Sequence, residues 1–275
     1  MPSTTAKIPA VFLDWAGTVV DHGSIAPVNA LENIFHEFGV NAPRPVVRRY
    51  MGLAKKDHIR KVLEEPELKE QWISLHHAPP QERDVEQMYA KFEPQMMELL
   101  AGYATVISGV PEAVEDMRAR GIKIAGTTGY TRPMLDRLQT LAARQGYRTD
   151  RSLAPEDAGG GRPFPWMCYR LAIDLRVYPL SRCVKIGDTE SDIAEGHNAG
   201  MWTIGVTRSG NSVGFSEDDW SKLGHQEQKQ LLACAEQEFR SAGAHYTAET
   251  VAHTLPILDE IERRIAAGES PRCPQ

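Results

Sequence analysis

The stretch FLDWAGTVVD, residues 12–21, delivers one carboxylate, Asp14, at the end of an apolar run. A carboxylate so placed can attack phosphorus and carry the phosphoryl group as an aspartyl phosphate. Two residues on, where many phosphoryl-transfer enzymes carry a second aspartate, stands Ala16. Later, GDTESD sets Asp188 and Asp192 four residues apart behind another apolar run, and IKIAGTTG ends in Thr127, Thr128 and Gly129. A carboxylate and a phosphoryl group are both anions, so a divalent cation has to lie between them. Magnesium prefers oxygen donors and keeps several waters. Asp14, Asp188 and a backbone carbonyl near Ala16 are its expected ligands, and Asp192 binds it through water or orients the loop. Thr128 and nearby N–H groups are expected to hold phosphoryl oxygens, and Arg162 to add a charge-assisted fork. Any one of these residues serves equally well as a helix cap. Capping gives no reason for the whole set.

The elements that must position these groups follow from periodicity. Ile8–Asp14 reads as a buried strand. Ala30, Leu31, Ile34, Phe35 and Phe38 recur at helical spacing, and Gly39 closes that helix. From there to Tyr103 the pattern is helical, with Pro66 opening one helix and Pro94 inside another. After Ile107 strands and helices alternate, which implies a parallel sheet with helices on both faces and polar residues gathered outside the strand ends. Four strand ends are expected to carry Asp14, Thr127–Thr128, the region of Arg162, and Asp188 with Asp192. The tail from Ser216 reads as mostly helical. The fold class is therefore α/β: a doubly wound parallel sheet, residues 1–21 and 104–275, with an all-helical cap, residues 22–103, inserted after the first strand.

Composition excludes several classes. A net charge of −6 without a basic stripe argues against nucleic acid as a partner. No apolar run reaches the ~20 residues of a membrane span, and the first residues lack the arrangement of a signal peptide. Cys168, Cys183, Cys234 and Cys273 are scattered, as expected of reduced thiols in the cytoplasm.

DWAGT, TTGYT and GDTESD, in this order, resemble the haloacid dehalogenase superfamily. Ordinary phosphatases of that superfamily use a second aspartate as acid, and Ala16 replaces it here. A leaving group that needs no such proton is carbon, provided its electrons have a sink. An imine formed with lysine is such a sink. With MGLAKKDH, GRPFPWM and EGHNAGMWT added, the closer resemblance is to the phosphonatase family, from about Val11 to Val206. It implies cleavage of the C–P bond of phosphonoacetaldehyde in the breakdown of 2-aminoethylphosphonate, with Mg2+ as cofactor. It also implies Asp14 as nucleophile, Lys55 as the Schiff-base lysine on the cap, the Ala16 carbonyl and Asp188 as further metal ligands, and a homodimer.

Lysine at its ordinary pKa of about 10.4 is a free amine about once in 2,500 molecules at pH 7. Burial or a nearby cation must lower that value, with Lys56 and Arg60 as candidates. His58 lies three residues on, one helical step away, where it could shuttle protons. Met51 and Tyr130 are either pocket or core. Three alternatives stay open: a generic magnesium-dependent phosphatase, a dehalogenase whose aspartate attacks carbon without metal, and an inactive interaction module.

Overall fold

The computed structural model describes residues 7–271; Cys273 lies outside them. Strand β1 (Ala10–Leu13) is buried throughout because both of its faces are covered. Val11 and Leu13 pack into one apolar cluster with Ile124, Val184 and Ile186. Ala10 and Phe12 pack into another with Ala125, Leu153 and Met167. A strand apolar on both sides shows no polar alternation, which is why AVFL reads as a continuous run.

Five helices follow β1: α1 (Ile25–Glu37), α2 (Arg44–Arg49), α3 (Lys55–Glu64), α4 (Pro66–His76) and α5 (Glu82–Tyr103). The longest, α5, starts with a cap in which the Asp84 carboxylate accepts from the Gln81 N–H at 2.8 Å. Its buried residues, Val85, Met88, Phe92, Met96 and Leu100, fall on one stripe and pack against α1 and α3. Pro94 sits inside α5 without ending it.

Helix α6 (Val110–Ala119) returns the chain to the sheet at β2 (Lys123–Thr127). Then come α7 (Arg132–Ala143), β3 (Arg151–Leu153), α8 (Pro155–Ala158), α9 (Trp166–Leu175), β4 (Val184–Gly187), α10 (Glu190–Asn198) and β5 (Trp202–Val206). The tail carries α11 (Glu217–Lys222), α12 (His225–Ser241), β6 (Tyr246–Ala248) and α13 (Leu255–Ala266). The sheet runs β3-β2-β1-β4-β5-β6 and every pairing is parallel. Strand order reverses at β1, so the crevice outside the ends of β2, β1 and β4 is the switch point where such sheets collect ligands. Among the described residues no helix is long and apolar enough to cross a membrane.

The tail is mostly helical, as expected, and Tyr246–Ala248 adds a sixth strand beside β5. One expectation needs correction. Arg162 does not stand at a strand end. Its nearest preceding strand is β3, a three-residue edge strand that periodicity cannot register, and Arg162 lies beyond α8 in the loop leading to α9. That loop folds back over the sheet and brings the guanidinium to the rim.

Candidate active site

The ends of β1, β2 and β4 and the start of α10 converge on a buried cluster of charges. Asp14, immediately after β1, is 5 % exposed, and Asp188, immediately after β4, is 1 % exposed. Asp192 is the N3 residue of α10, where its carboxylate closes a capping box with Thr189. Carboxylate oxygens of Asp14, Asp188 and Asp192 lie within 4.8 Å of one another. Carboxylates this close repel one another, and the pKa directions follow from that repulsion, from burial and from the cations nearby. Burial, then the charges of Asp14 and Asp192, push Asp188 well above the usual carboxylate range. Burial also raises Asp14, opposed by Arg162. Asp192 is the exception. Burial acts to raise it, but Arg162 and Lys185 outweigh burial and hold it down.

Arg162 is the hub of this floor. Its Nη2 donates to Asp14 Oδ1 at 2.6 Å, to the Thr127 carbonyl at 2.9 Å and to Thr127 Oγ1 at 2.8 Å, while Nε donates to Glu195 Oε2 at 3.0 Å. Lys185 Nζ lies 2.6 Å from Asp192 Oδ1 and 3.3 Å from Glu195 Oε2. Sequence reasoning missed Lys185 and Glu195. The signal was present: CVKIG is an apolar strand interrupted by one lysine, and a cation in that setting requires buried carboxylates. Glu195 lies three residues after Asp192, on the same face of α10.

The donor set fits a hard divalent cation. Its three side chains offer only oxygen, and two of them are carboxylates destabilised by burial and mutual repulsion. The Ala16 carbonyl follows in the turn after Asp14, and no donor among the described residues claims it. Asp188 is steadied by the Asn211 N–H, 2.9 Å from Oδ2, and by Thr18 Oγ1, 3.4 Å from Oδ1.

The second half of the site comes from the helices inserted after β1. The turn Met51–Ala54 lies across the core. Ser191 Oγ donates to the Met51 carbonyl at 2.9 Å, and Gly52, at φ +86°, leaves no room for a Cβ beneath Ser191 and Thr189. Gly129 lies under the carbonyls of Gly52 and Leu53. Thr128 Oγ1 accepts from the Tyr130 N–H at 3.1 Å, which leaves its own hydrogen to donate. Met51, Thr128, Tyr130 and Arg162 are all buried.

Lys55 opens α3 and is 3 % exposed. Among the described residues no carboxylate pairs with its Nζ, which stands 5.5 Å from the centre of the Tyr130 ring. Burial first, with Arg162 adding to it and Asp14 and Asp188 opposing, lowers Lys55 from the ordinary 10.5 to about 8. A cation in the first turn of a helix is also disfavoured by the helix dipole. The cation that acts on it is thus Arg162, not Lys56 or Arg60. Lys56 is half-exposed and paired with Glu86 at 2.6 Å, and Arg60 pairs with Glu82 and Asp57 on the outer face. His58 is fully buried. Its Nε2 faces the Val47 carbonyl at 2.8 Å and therefore carries the proton. Burial, then Lys55, hold the ring well below the usual histidine value, which leaves Nδ1 a buried lone pair with no hydrogen-bond partner among the described residues.

Comparisons with known proteins give the family. Residues 8–200 match the haloacid dehalogenase-like hydrolases. The chain is 42% identical to the phosphonoacetaldehyde hydrolase of Bacillus cereus over 258 residues, covering 94% of this chain and 98% of the relative. It superposes on the crystal structure of a phosphonoacetaldehyde hydrolase-like protein from Oleispira antarctica with a TM-score of 0.95 at 37% identity, over 97% of each chain. A β-phosphoglucomutase from Clostridium difficile, with a TM-score of 0.67 at 15% identity, shares the fold alone. The chain belongs to the haloacid dehalogenase-like hydrolases and, among them, to the phosphonoacetaldehyde hydrolase family.

Proposed function

We propose that the chain hydrolyses the C–P bond of phosphonoacetaldehyde, consuming one water and releasing acetaldehyde and phosphate. The observation that carries this reading is Lys55, a buried lysine with no carboxylate partner on the electrostatic horizon of Asp14 and Asp188. At a pKa of about 8 roughly one Lys55 in ten is a free amine at pH 7, about two hundred times the ordinary share.

The free amine adds to the aldehyde and loses water to give an imine, which is used in its protonated form. His58 Nδ1 is the base we assign to proton movements at that nitrogen. Asp14 then attacks phosphorus in line. The C–P pair flows into the iminium and yields an enamine, so the departing carbon needs no acid at position 16. Protonation at carbon and hydrolysis of the imine regenerate Lys55 and release acetaldehyde. A second water cleaves the aspartyl phosphate and restores Asp14. Thr128 donates to phosphoryl oxygens. Arg162, already bound to Asp14 and Glu195, keeps the nucleophile aimed and charged. Met51, Gly129 and Tyr130 exclude water around Lys55. Asp14, Asp188 and the Ala16 carbonyl would hold Mg2+, with Asp192 behind them. When bound, the ion screens the negative charge that gathers at phosphorus.

In this reading residues 22–103 are the cap and residues 1–21 with 104–275 the core. We assign the protein to the cytoplasm, in keeping with its buried free thiols Cys168 and Cys183. We also propose a homodimer. Its support is an exposed aromatic ladder, Phe164 stacked on Trp166 with Tyr169 edge-on, that one copy offers to another. Trp166→Glu is expected to give monomers in light scattering.

The decisive experiment is borohydride trapping. With phosphonoacetaldehyde present, reduction is expected to leave a secondary amine at Lys55, located by peptide mass mapping. Normal turnover with no adduct, or an adduct at Lys56, removes the proposed mechanism.

A further inference from the structure

One loop touches the cap, the linker and the catalytic floor at once. Arg48, on α2, sends Nη1 to the Gly23 carbonyl at 2.9 Å, to Asn211 Oδ1 at 3.0 Å and to the Asn211 carbonyl at 3.2 Å. Its Nη2 reaches the Gly214 carbonyl at 3.1 Å. Asn211 answers in kind: its Nδ2 donates to the backbone carbonyl of Arg48 at 3.0 Å. Asn211 is 8 % exposed, and its own N–H holds Asp188 Oδ2 at 2.9 Å. The packing leaves the loop no slack. A Cβ at Gly214, whose φ is +71°, would stand 2.8 Å from Arg48 Cζ, and one at Gly210 would stand 2.9 Å from Asp188 Cβ. The same loop holds the linker into the cap, since Ser209 O accepts from the Gly23 N–H at 2.7 Å.

We propose that Arg48 is a positioning residue for the reaction: by gripping Asn211 it makes docking of the cap the event that fixes Asp188. None of the reacting atoms touches Arg48. Its guanidinium spends its donors on three backbone carbonyls and one amide oxygen, which is the geometry of a clamp. A clamp of this kind transmits position because the Asn211 side chain and its N–H belong to one residue, with the cap on one end and Asp188 on the other. When the cap lifts, Arg48 leaves, and the loop loses the contacts that aim the N–H. The amine on the cap and the carboxylate floor are then assembled in the same movement.

This inference rests on the reading of the site given above, and its test separates the two. The full-length chain is made as wild type, Arg48→Ala, Asn211→Ala and the double variant. Borohydride adducts at Lys55 count the sites able to capture aldehyde, and phosphate release is expressed per such site. Each single variant is expected to lower that rate by about a hundredfold, the size of effect a misplacement near 1 Å produces, with KM changed far less than kcat. The double variant should be no slower than either single one, because both cut the same link. Independently of turnover, the Asn211 amide should exchange its hydrogen at least roughly tenfold faster in Arg48→Ala, while the Asp14 amide, bonded to the Ile186 carbonyl in the sheet, should not change.

Multiplying losses in the double variant, a normal rate per adduct-forming site in either single variant, or unchanged exchange at Asn211 would each overturn the clamp. If Arg48→Ala does not fold, Asn211→Ala alone decides by its rate per site. If the wild type forms no adduct, the reading of Lys55 falls, and the exchange measurement still decides for or against the clamp.

Discussion

Two buried lysines sit beside the same cluster, and their charges go opposite ways. Lys185, on the core strand β4, is completely buried, yet Asp192 and Glu195 lie within 3.3 Å of its Nζ. Burial acts to lower its pKa, and the two carboxylates more than reverse that, so Lys185 stays charged. Lys55, on the cap helix α3, is just as deeply buried and has no such partner, so burial wins and brings it to about 8. Depth is the same and the outcome differs, because the sign of a buried lysine's shift is decided by who stands beside it. The core lysine is a fixed counter-charge. The cap lysine is poised to become an amine.

Exchanging or removing each lysine tests that contrast, beginning with the largest effect. Lys55→Arg keeps a cation in the cap but a guanidinium cannot become a free nucleophile. Phosphate release should fall below roughly one-thousandth of the wild-type rate, with no borohydride adduct. Near-normal turnover by this variant would place Lys55 among structural lysines such as Lys185. Lys185→Met should instead appear as lost stability. It leaves Arg162 as the one cation beside Asp192 and Glu195 among the described residues, and urea unfolding should register a loss of about 3 kcal/mol. An unchanged midpoint would mean that the ion pairs of Lys185 do not hold the floor together.

The third effect is on pH. Lys55 has a lowered pKa, so its charged form prevails below about 8 and its amine above. Steady-state kcat/KM for phosphonoacetaldehyde should therefore climb about tenfold per pH unit up to about 8 and then level off. A limb that levels near 10 would show that burial does not discharge this lysine. The smallest effect is expected one residue away. Lys56→Arg should stay within about twofold of wild type, since an exposed pair such as Lys56–Glu86 is worth little and a guanidinium can replace it.

The same contrast explains what could be read from the sequence. Asp14 and Asp188 stand in short segments at the ends of apolar runs, and Lys55 was legible through the resemblance of its short segment, MGLAKKDH, to the phosphonatase family. Lys185 and Glu195 were legible only as a charge in an apolar strand and an acid one helical turn beyond Asp192; nothing nearby in sequence says that they meet. Arg162 was legible as a residue but not as a place, because the short edge strand β3 and a folded-back loop decide where it goes. The strand β6 escaped for a similar reason. Three residues, Tyr246 to Ala248, between long helices carry too little alternation to register, and only the exposed edge of β5 gives them a partner.

The distribution of reactive groups over two bodies has a consequence for selectivity. Asp14 follows β1, whereas Lys55 begins α3, and the turn around Gly52 brings them together. In the proposed reaction each group recognises a different functional class, an aldehyde for Lys55 and a phosphorus centre for Asp14. A metabolite carrying only one of the two satisfies half of a coincidence requirement and is released unchanged. On the proposed reaction, phosphate esters and aldehydes would be rejected without a pocket that inspects their outlines, because chemistry would proceed only when one small molecule answers both tests at once.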